Sequence, residues 1–249
     1  LLGNLAMAEL RNYQSQVGAR ADSAIDEGLR AYMLKVYNLM AIALVVTGAV
    51  AYGTFNLAVS NGQLTQLGAL LFTSPLRWVI MLAPLAFVFL FSFRIDRMSV
   101  STAQMTFWAF AALMGLSLSS IFLVFTGASI TQTFFVTAAA FGALSLYGYT
   151  TRRDLTAMGS FLIMGVFGLI LAMLVNLFLQ SSALQFAISA IGVLVFAGLT
   201  AYDTQKIKES YFEGDAAVLG RNAIMGALTL YLDFINMFQF LLSFLGDRD

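Results

Sequence analysis

The chain has 249 residues, of which 60% are hydrophobic and 10% are charged. A soluble domain has about one quarter charged residues, so this composition excludes a soluble fold and predicts an all-α polytopic membrane protein. The 13 basic and 13 acidic residues cancel, which leaves no overall field to attract nucleic acid. Because cysteine and histidine are both absent, the sequence excludes disulfides, histidine-based zinc sites and catalytic triads that use histidine.

The first 30 residues are polar with mixed charge, which predicts a flexible cytosolic N-terminal arm. Residues 31–249 form one predicted transmembrane domain, because stretches of about 17–25 apolar residues, each able to cross a hydrocarbon core of about 30 Å, follow one another. The last stretch could cross the membrane fully or form a re-entrant hairpin. We predict seven spans, at 32–58, 77–98, 103–125, 130–151, 158–179, 183–206 and 222–245.

Basic residues are concentrated in alternate connections, and the opposite side has only Arg77 and Arg248. By the positive-inside rule, the arm and the connections rich in lysine and arginine lie in the cytosol. The N-terminus is therefore predicted to be cytosolic. The residues that carry this pattern are Arg11, Arg20, Arg30, Lys35, Arg94, Arg97, Arg152, Arg153, Lys206, Lys208 and Arg221.

Asp233 lies inside the last apolar stretch, with a phenol before it at Tyr231 and an amide after it at Asn236. A charged side chain at the centre of a bilayer costs about 2.5–3.5 kcal/mol on insertion scales, so a buried aspartate indicates a structural pair or a function. If its helix begins near Asn222, Asp233 is about 16 Å along the axis. If the helix begins nearer Leu228, Asp233 is about one turn deep and could meet Asp203.

Asp203 and Arg94 are the other ionisable residues near membrane depth, each toward the cytosolic end of its helix. Taken singly, Asp203 could pair locally with Lys206, and Arg94 could be a positive-inside anchor. Taken together, two aspartates in a low-dielectric site can share a proton, and Arg94 would favour the doubly ionised form. This arrangement predicts a pH-dependent latch. Asp154 is predicted to cap or pair at a cytosolic helix end, and Asn176 and Asn236 are candidates for hydrogen bonds between helices.

The terminal sequence LTLYLDFINMFQFLLSFLG, together with AYDTQKIK in the sixth span and TRRDL after the fourth, resembles the bacterial branch of the transmembrane Bax inhibitor motif family. The resemblance covers the chain from about Tyr32 to Gly246. It implies a seven-helix fold with the last helix central, and a calcium-permeable leak that is sensitive to pH. The family's paired aspartates fall on Asp203 and Asp233, and the arginine that they engage falls on Arg94.

The second span departs from some relatives that carry an acidic residue there, because this chain has Ala83, Pro84 and apolar neighbours. That departure argues against an additional cation site in this span. The bacterial branch implies the inner (plasma) membrane as the location.

Three functions are compatible with these features. The first is a passive cation leak in which Asp203 and Asp233 transiently bind Ca²⁺, since carboxylates suit a hard cation. The second is a regulatory membrane protein that binds a membrane protease or stress-response partner through its arm. The third is a diaspartyl intramembrane protease, which the sequence disfavours because Leu-Tyr-Leu precedes Asp233 and no proline follows Pro84. We find no cofactor motif.

Overall fold

The computed structural model describes residues 2–212 and 214–247, with side chains from residue 26 onward. Eight α-helices and one short hairpin follow one another in this part of the chain. The predicted flexibility of residues 1–30 falls largely on residues without described side chains and stays a prediction. The elements are α1 (Leu2–Ala58), β1 (Val59–Ser60), β2 (Gln63–Leu64), α2 (Gln66–Phe72), α3 (Leu76–Arg94), α4 (Val100–Leu118), α5 (Gly127–Thr150), α6 (Thr156–Leu179), α7 (Ser182–Glu209) and α8 (Ala216–Leu245).

All the helices except α2 are long and apolar enough to cross a membrane, which confirms the prediction of seven spans. The C-terminal ends of α3, α5 and α7 lie at one end of the bundle together with the arginines and lysines of their connections, and we call this the basic end. The two 3₁₀ segments, Ile95–Arg97 and Ser119–Leu123, lie directly beyond α3 and α4. The protein is therefore an integral membrane protein built as a seven-helix bundle.

The connection between the first two spans has structure that the sequence analysis did not predict. Strands β1 and β2 pair antiparallel, with Val59 opposite Leu64. The turn between them is Asn61-Gly62, and both residues have positive φ angles, of 53° and 74°. Such a pair is the strongest short-range signal for a two-residue hairpin turn, so the sequence did contain the information. Thr65 then caps α2 by accepting a hydrogen bond from the N–H of Gly68.

Hydroxyl side chains set the starts of the long helices. Ser99, Thr126 and Ser181 precede α4, α5 and α7, and each accepts a hydrogen bond from the N–H three residues later. These caps satisfy backbone donors that have no partner inside the helix. Among consecutive spans, α3 and α4, α6 and α7, and α7 and α8 pack against each other.

Helix α8 is the centre of the bundle, as the resemblance implied. In its membrane window 56% of the residues are buried, compared with 11–33% in the other six spans. It packs against α7, α1, α5 and α4. Its 30 unbroken residues extend about 45 Å, which is long enough for a full crossing. The re-entrant alternative is therefore not what the structure contains, and the helix begins six residues before Asn222, where the Asp215 carboxylate accepts from the N–H of Ala217 at 2.6 Å.

Candidate functional site

The structure brings Asp203 and Asp233 together across the interface between α7 and α8. These helices approach closely because Gly226 on α8 faces Ile207 on α7, where an added Cβ would lie 3.0 Å from the isoleucine Cγ2. The two carboxyl groups lie within hydrogen-bonding reach of each other. Since a carboxylate can only accept, a hydrogen bond between them requires a proton on one of the two groups. The structure thus brings the two predicted aspartates together, and the shared proton stays a prediction.

Few hydrogen-bond donors or cations lie near the two carboxyl groups. Asp233 is 4% exposed, and within the described residues no N–H or hydroxyl donor reaches its buried Oδ2. The cation that acts on Asp203 is Lys206, one turn later on α7. Lys206 is itself exposed and lies over the Tyr202 ring, with its Nζ 5.9 Å from the ring centroid. No buried cation among the described side chains therefore neutralises the pair.

Arg94 does not take part in this contact. It is the exposed last residue of α3 and forms no ion pair with Asp203 or Asp233 in the described structure. The physical reason is the position of α3, which packs chiefly against α4 at the edge of the bundle and buries only 17% of its membrane window. The predicted contact between Arg94 and the pair is thus absent from this structure, and a role for Arg94 in gating stays a prediction.

Tyr231 connects α8 to two other helices. Its hydroxyl lies 2.7 Å from the Thr47 hydroxyl on α1, and Thr47 donates to the carbonyl of Ala111 on α4 at 2.9 Å. Tyr231 is therefore the donor to Thr47. Its ring packs edge-on against Phe107 and Phe110. Tyr231 thus fixes α8 against α1 and α4 one turn from the buried carboxyl pair, a positioning role that its place in the sequence did not specify.

A second chain of hydroxyls lies on the other side of α7. Tyr37 contacts Ser145 at 2.7 Å, and Ser145 contacts Thr204 at 3.0 Å. Thr204 donates to the carbonyl of Thr200 at 2.7 Å, so the protons in this chain all point from α1 through α5 to α7. The sequence analysis missed these residues, because serine and threonine occur throughout the apolar stretches and no spacing distinguishes these three.

The two predicted asparagines behave differently from each other. Asn176 on α6 donates to Gln185 on α7 at 3.2 Å, which confirms an interhelical hydrogen bond. Asn236 instead donates to the carbonyl of Leu232 on its own helix at 2.8 Å. Its side chain therefore does not join α8 to a neighbour.

Asp154 lies outside the pair, in the connection between α5 and α6. Its carboxylate accepts from the N–H of Thr156 at 2.8 Å at the start of α6, which agrees with the predicted helix-end role. Hydrogen bonds from the Thr156 side chain and then from its backbone lower the pKa of Asp154 below its ordinary value. The carboxylate form that accepts these bonds is thus retained at neutral pH, and the cap weakens only as the pH falls through that lowered pKa.

Gln205, two residues after Asp203, fixes the same connection to α7. Its Oε1 accepts from the N–H of Leu155 at 2.9 Å, and its Nε2 donates to the carbonyl of Arg153 at 2.8 Å. The sequence analysis did not single out this residue, although it lies inside AYDTQKIK. It holds the basic end of α7 in place one turn from the carboxyl pair.

A cavity of about 260 Å³ adjoins the pair on the side of the basic end. Asp203 lies in its wall, together with Lys206, Ser210, Asn222 and Thr229. Two carboxyl groups provide at most four oxygens, whereas Ca²⁺ prefers six to eight, and the described residues contain no cluster of three or more metal-binding side chains. The donor set therefore fits a cation that binds transiently with part of its water shell.

Comparison with known proteins agrees with this architecture. The sequence model of the family described as "Inhibitor of apoptosis-promoting Bax1" matches residues 29–249. An uncharacterized protein of Rickettsia prowazekii is 51% identical over 228 residues, covering 91% of this chain and 94% of its own length. One from Caulobacter vibrioides is 49% identical over 241 residues, covering 95% and 96%. The inner membrane protein YbhL of Escherichia coli K12 is 47% identical over 235 residues, covering 92% and 97%.

Proposed function

The chain belongs to the family described as inhibitors of apoptosis-promoting Bax1, and from this membership we propose that it is a passive, pH-sensitive leak for cations, with Ca²⁺ as the principal ion. The observation that carries the proposal is the close approach of the Asp203 and Asp233 carboxyls beside a cavity at the basic end. Buried carboxyls with no structural cation are expensive in a membrane and are typical of ion and proton pathways.

The mechanism follows from the charge of the pair. With one shared proton, the pair carries a single negative charge and its hydrogen bond holds α7 against α8. When that proton leaves, two negative charges face each other in a medium where their repulsion is strong. Their separation removes the link between the helices, and the two carboxylates become ligands for a divalent cation. Proton occupancy and cation occupancy therefore compete at one site.

The test is Ca²⁺ flux into proteoliposomes as a function of pH, with Asp203→Asn and Asp233→Asn compared with the wild type. An asparagine amide donates a hydrogen bond to the remaining carboxylate at every pH, as the protonated carboxyl does. We therefore expect each variant to lose the pH response. Its flux should stay at the level that the wild type shows at low pH, whichever way the wild-type flux changes with pH.

Asp154→Asn is the matched control, because it removes an aspartate that is exposed and outside the pair. It should retain the wild-type pH response. A pH response that survives unchanged in both Asp203→Asn and Asp233→Asn would contradict the mechanism.

The proposal includes a location and an orientation. An inner-membrane location is supported by the name of the E. coli relative, the inner membrane protein YbhL. A cytosolic N-terminus is supported by the arginines and lysines at the basic end, which the positive-inside rule assigns to the cytosol. The carboxyl pair then meets the cytosolic solution through the adjoining cavity, so cytosolic pH is the variable that it would report.

A further inference from the structure

Helix α8 carries a stripe of polar side chains that continues past the carboxyl pair. Asn222, Thr229, Asp233, Asn236 and Gln239 are separated by three, four or seven residues, a spacing that keeps them toward one side of a helix. The first two line the cavity at the basic end. The last two line a second cavity, of about 330 Å³, in the other half of the bundle. Asp233 lies in the turn between the two cavities.

The second cavity lies among α3, α4 and α8, and its walls are apolar except at Ser117, Asn236 and Gln239. The amide nitrogen of Asn236 is used within α8, so its Oδ1 remains as an acceptor. In the described part of the chain, the side chains of Ser117 and Gln239 form no hydrogen bond. Three polar side chains with unused hydrogen-bonding groups therefore line the same cavity at membrane depth.

Unused polar groups of this kind are unfavourable in a bilayer unless they face water or an ion. The cavity has room for about ten waters at about 30 Å³ each. Pro84 also lines it, with apolar neighbours on α3. The cavity thus presents neutral side-chain oxygens from α4 and α8, with no charged residue among its lining groups.

We propose that this cavity is a second cation subsite, in which the oxygens of Ser117, Asn236 and Gln239 replace part of the hydration shell of a hard cation such as Ca²⁺. The inference rests on the proposed leak and extends it. Neutral oxygens hold a cation weakly enough for it to leave. Thr229 and Leu232, the nearest lining residues of the two cavities on α8, are about 4.5 Å apart along the axis. Asp233 is the next residue, so the carboxyl pair lies at the level where the two cavities approach each other.

The first experiment measures water and cation access without measuring flux. The natural chain has no cysteine, so Ser117→Cys and Gln239→Cys each provide a single thiol for a hydrophilic, membrane-impermeant thiol reagent in proteoliposomes. The control is Gln132→Cys, an exposed position on α5. Gln132 is five residues from the start of α5, and Gln239 is six residues from the end of α8, so the two positions have similar depths. We expect labelling about tenfold faster at the two cavity positions, since the thiolate forms only in contact with water, and slower labelling there when Ca²⁺ is added.

Labelling at the rate of Gln132→Cys, or labelling that Ca²⁺ does not slow, would overturn the subsite.

The second experiment is Ca²⁺ flux in Gln239→Leu, with Gln132→Leu as the control. Loss of one oxygen ligand to a charged ion should lower the flux about tenfold while leaving the pH response in place, because the carboxyl pair is unchanged.

The two proposals fail in different ways. If the wild type conducts with the pH response of the carboxyl pair and Gln239→Leu conducts equally, the subsite is wrong and the leak remains. If the wild type does not conduct Ca²⁺, the leak is wrong. In that case Ca²⁺-sensitive labelling at Ser117→Cys and Gln239→Cys would still support a cation site, and its absence would overturn that site as well.

Discussion

Gly148→Ala is expected to lower the free energy of unfolding by about 3 kcal/mol or more, because it places an atom where two helices already touch. A Cβ at Gly148 on α5 would overlap the carbonyl oxygen of Ala201 on α7, and the carbonyl carbon lies 2.9 Å from the same position. Backbone atoms cannot move aside as the end of a flexible side chain can. The helices would have to separate, and the Ser145–Thr204 hydrogen bond one turn away would lengthen.

Gly142→Ala is the control on the same helix, where an added Cβ meets no atom within 4 Å. Alanine is a better helix former than glycine, so this variant should be more stable than the wild type by about 0.5–1 kcal/mol. The measurement is denaturant unfolding in detergent micelles for both variants. Equal stability of the two would show that α5 and α7 are not in direct backbone contact.

The second large effect is expected at Tyr231. Tyr231→Ala removes a fully buried ring that packs on Phe107 and Phe110, and a large-to-small change of this kind costs about 3–5 kcal/mol. Tyr231→Phe keeps the ring and removes the hydrogen bond to Thr47, so its cost should be about 1 kcal/mol.

A double-mutant cycle separates the two contributions to this effect. Thr47→Val combined with Tyr231→Phe should cost less than the sum of the single changes, because both remove the same hydrogen bond. Strict additivity would mean that the hydroxyl contact contributes nothing to stability. If Tyr231→Ala were as stable as Tyr231→Phe, the ring would not be part of the packed core.

The sequence was sufficient for the seven spans because each is a long apolar helix, and this property depends only on local composition. It was less reliable at helix ends. The last helix was predicted from 222 and begins at Ala216, since the polar residues before Asn222 read as a loop whereas Asp215 caps a helix that extends beyond the apolar core. The hairpin at Asn61-Gly62 was missed because the spans were predicted from apolar length and charge, which take no account of turn residues.

The lateral arrangement of the helices was harder to predict. Asp203 and Asp233 were linked by their depth in the membrane and by the family resemblance, whereas their contact depends on the register between α7 and α8, where Gly226 faces Ile207. Arg94 was linked to them on the same grounds, but α3 lies at the edge of the bundle against α4. Positions along a helix can be counted in the sequence. Distances between helices depend on how side chains from several helices pack together, which the sequence of any one helix does not determine.

The hydroxyl chain of Tyr37, Ser145 and Thr204 has a consequence for the way the bundle responds to acid. Hydroxyl groups keep the same protons throughout the physiological range of pH, and so do the Tyr231 and Thr47 hydroxyls that join α8 to α1. The hydroxyl contacts around the carboxyl pair therefore do not change their protonation when the pH falls. A proton can change the contact between α7 and α8 while the ties to α1, α4 and α5 keep their strength, so the bundle can rearrange at one interface without loosening as a whole.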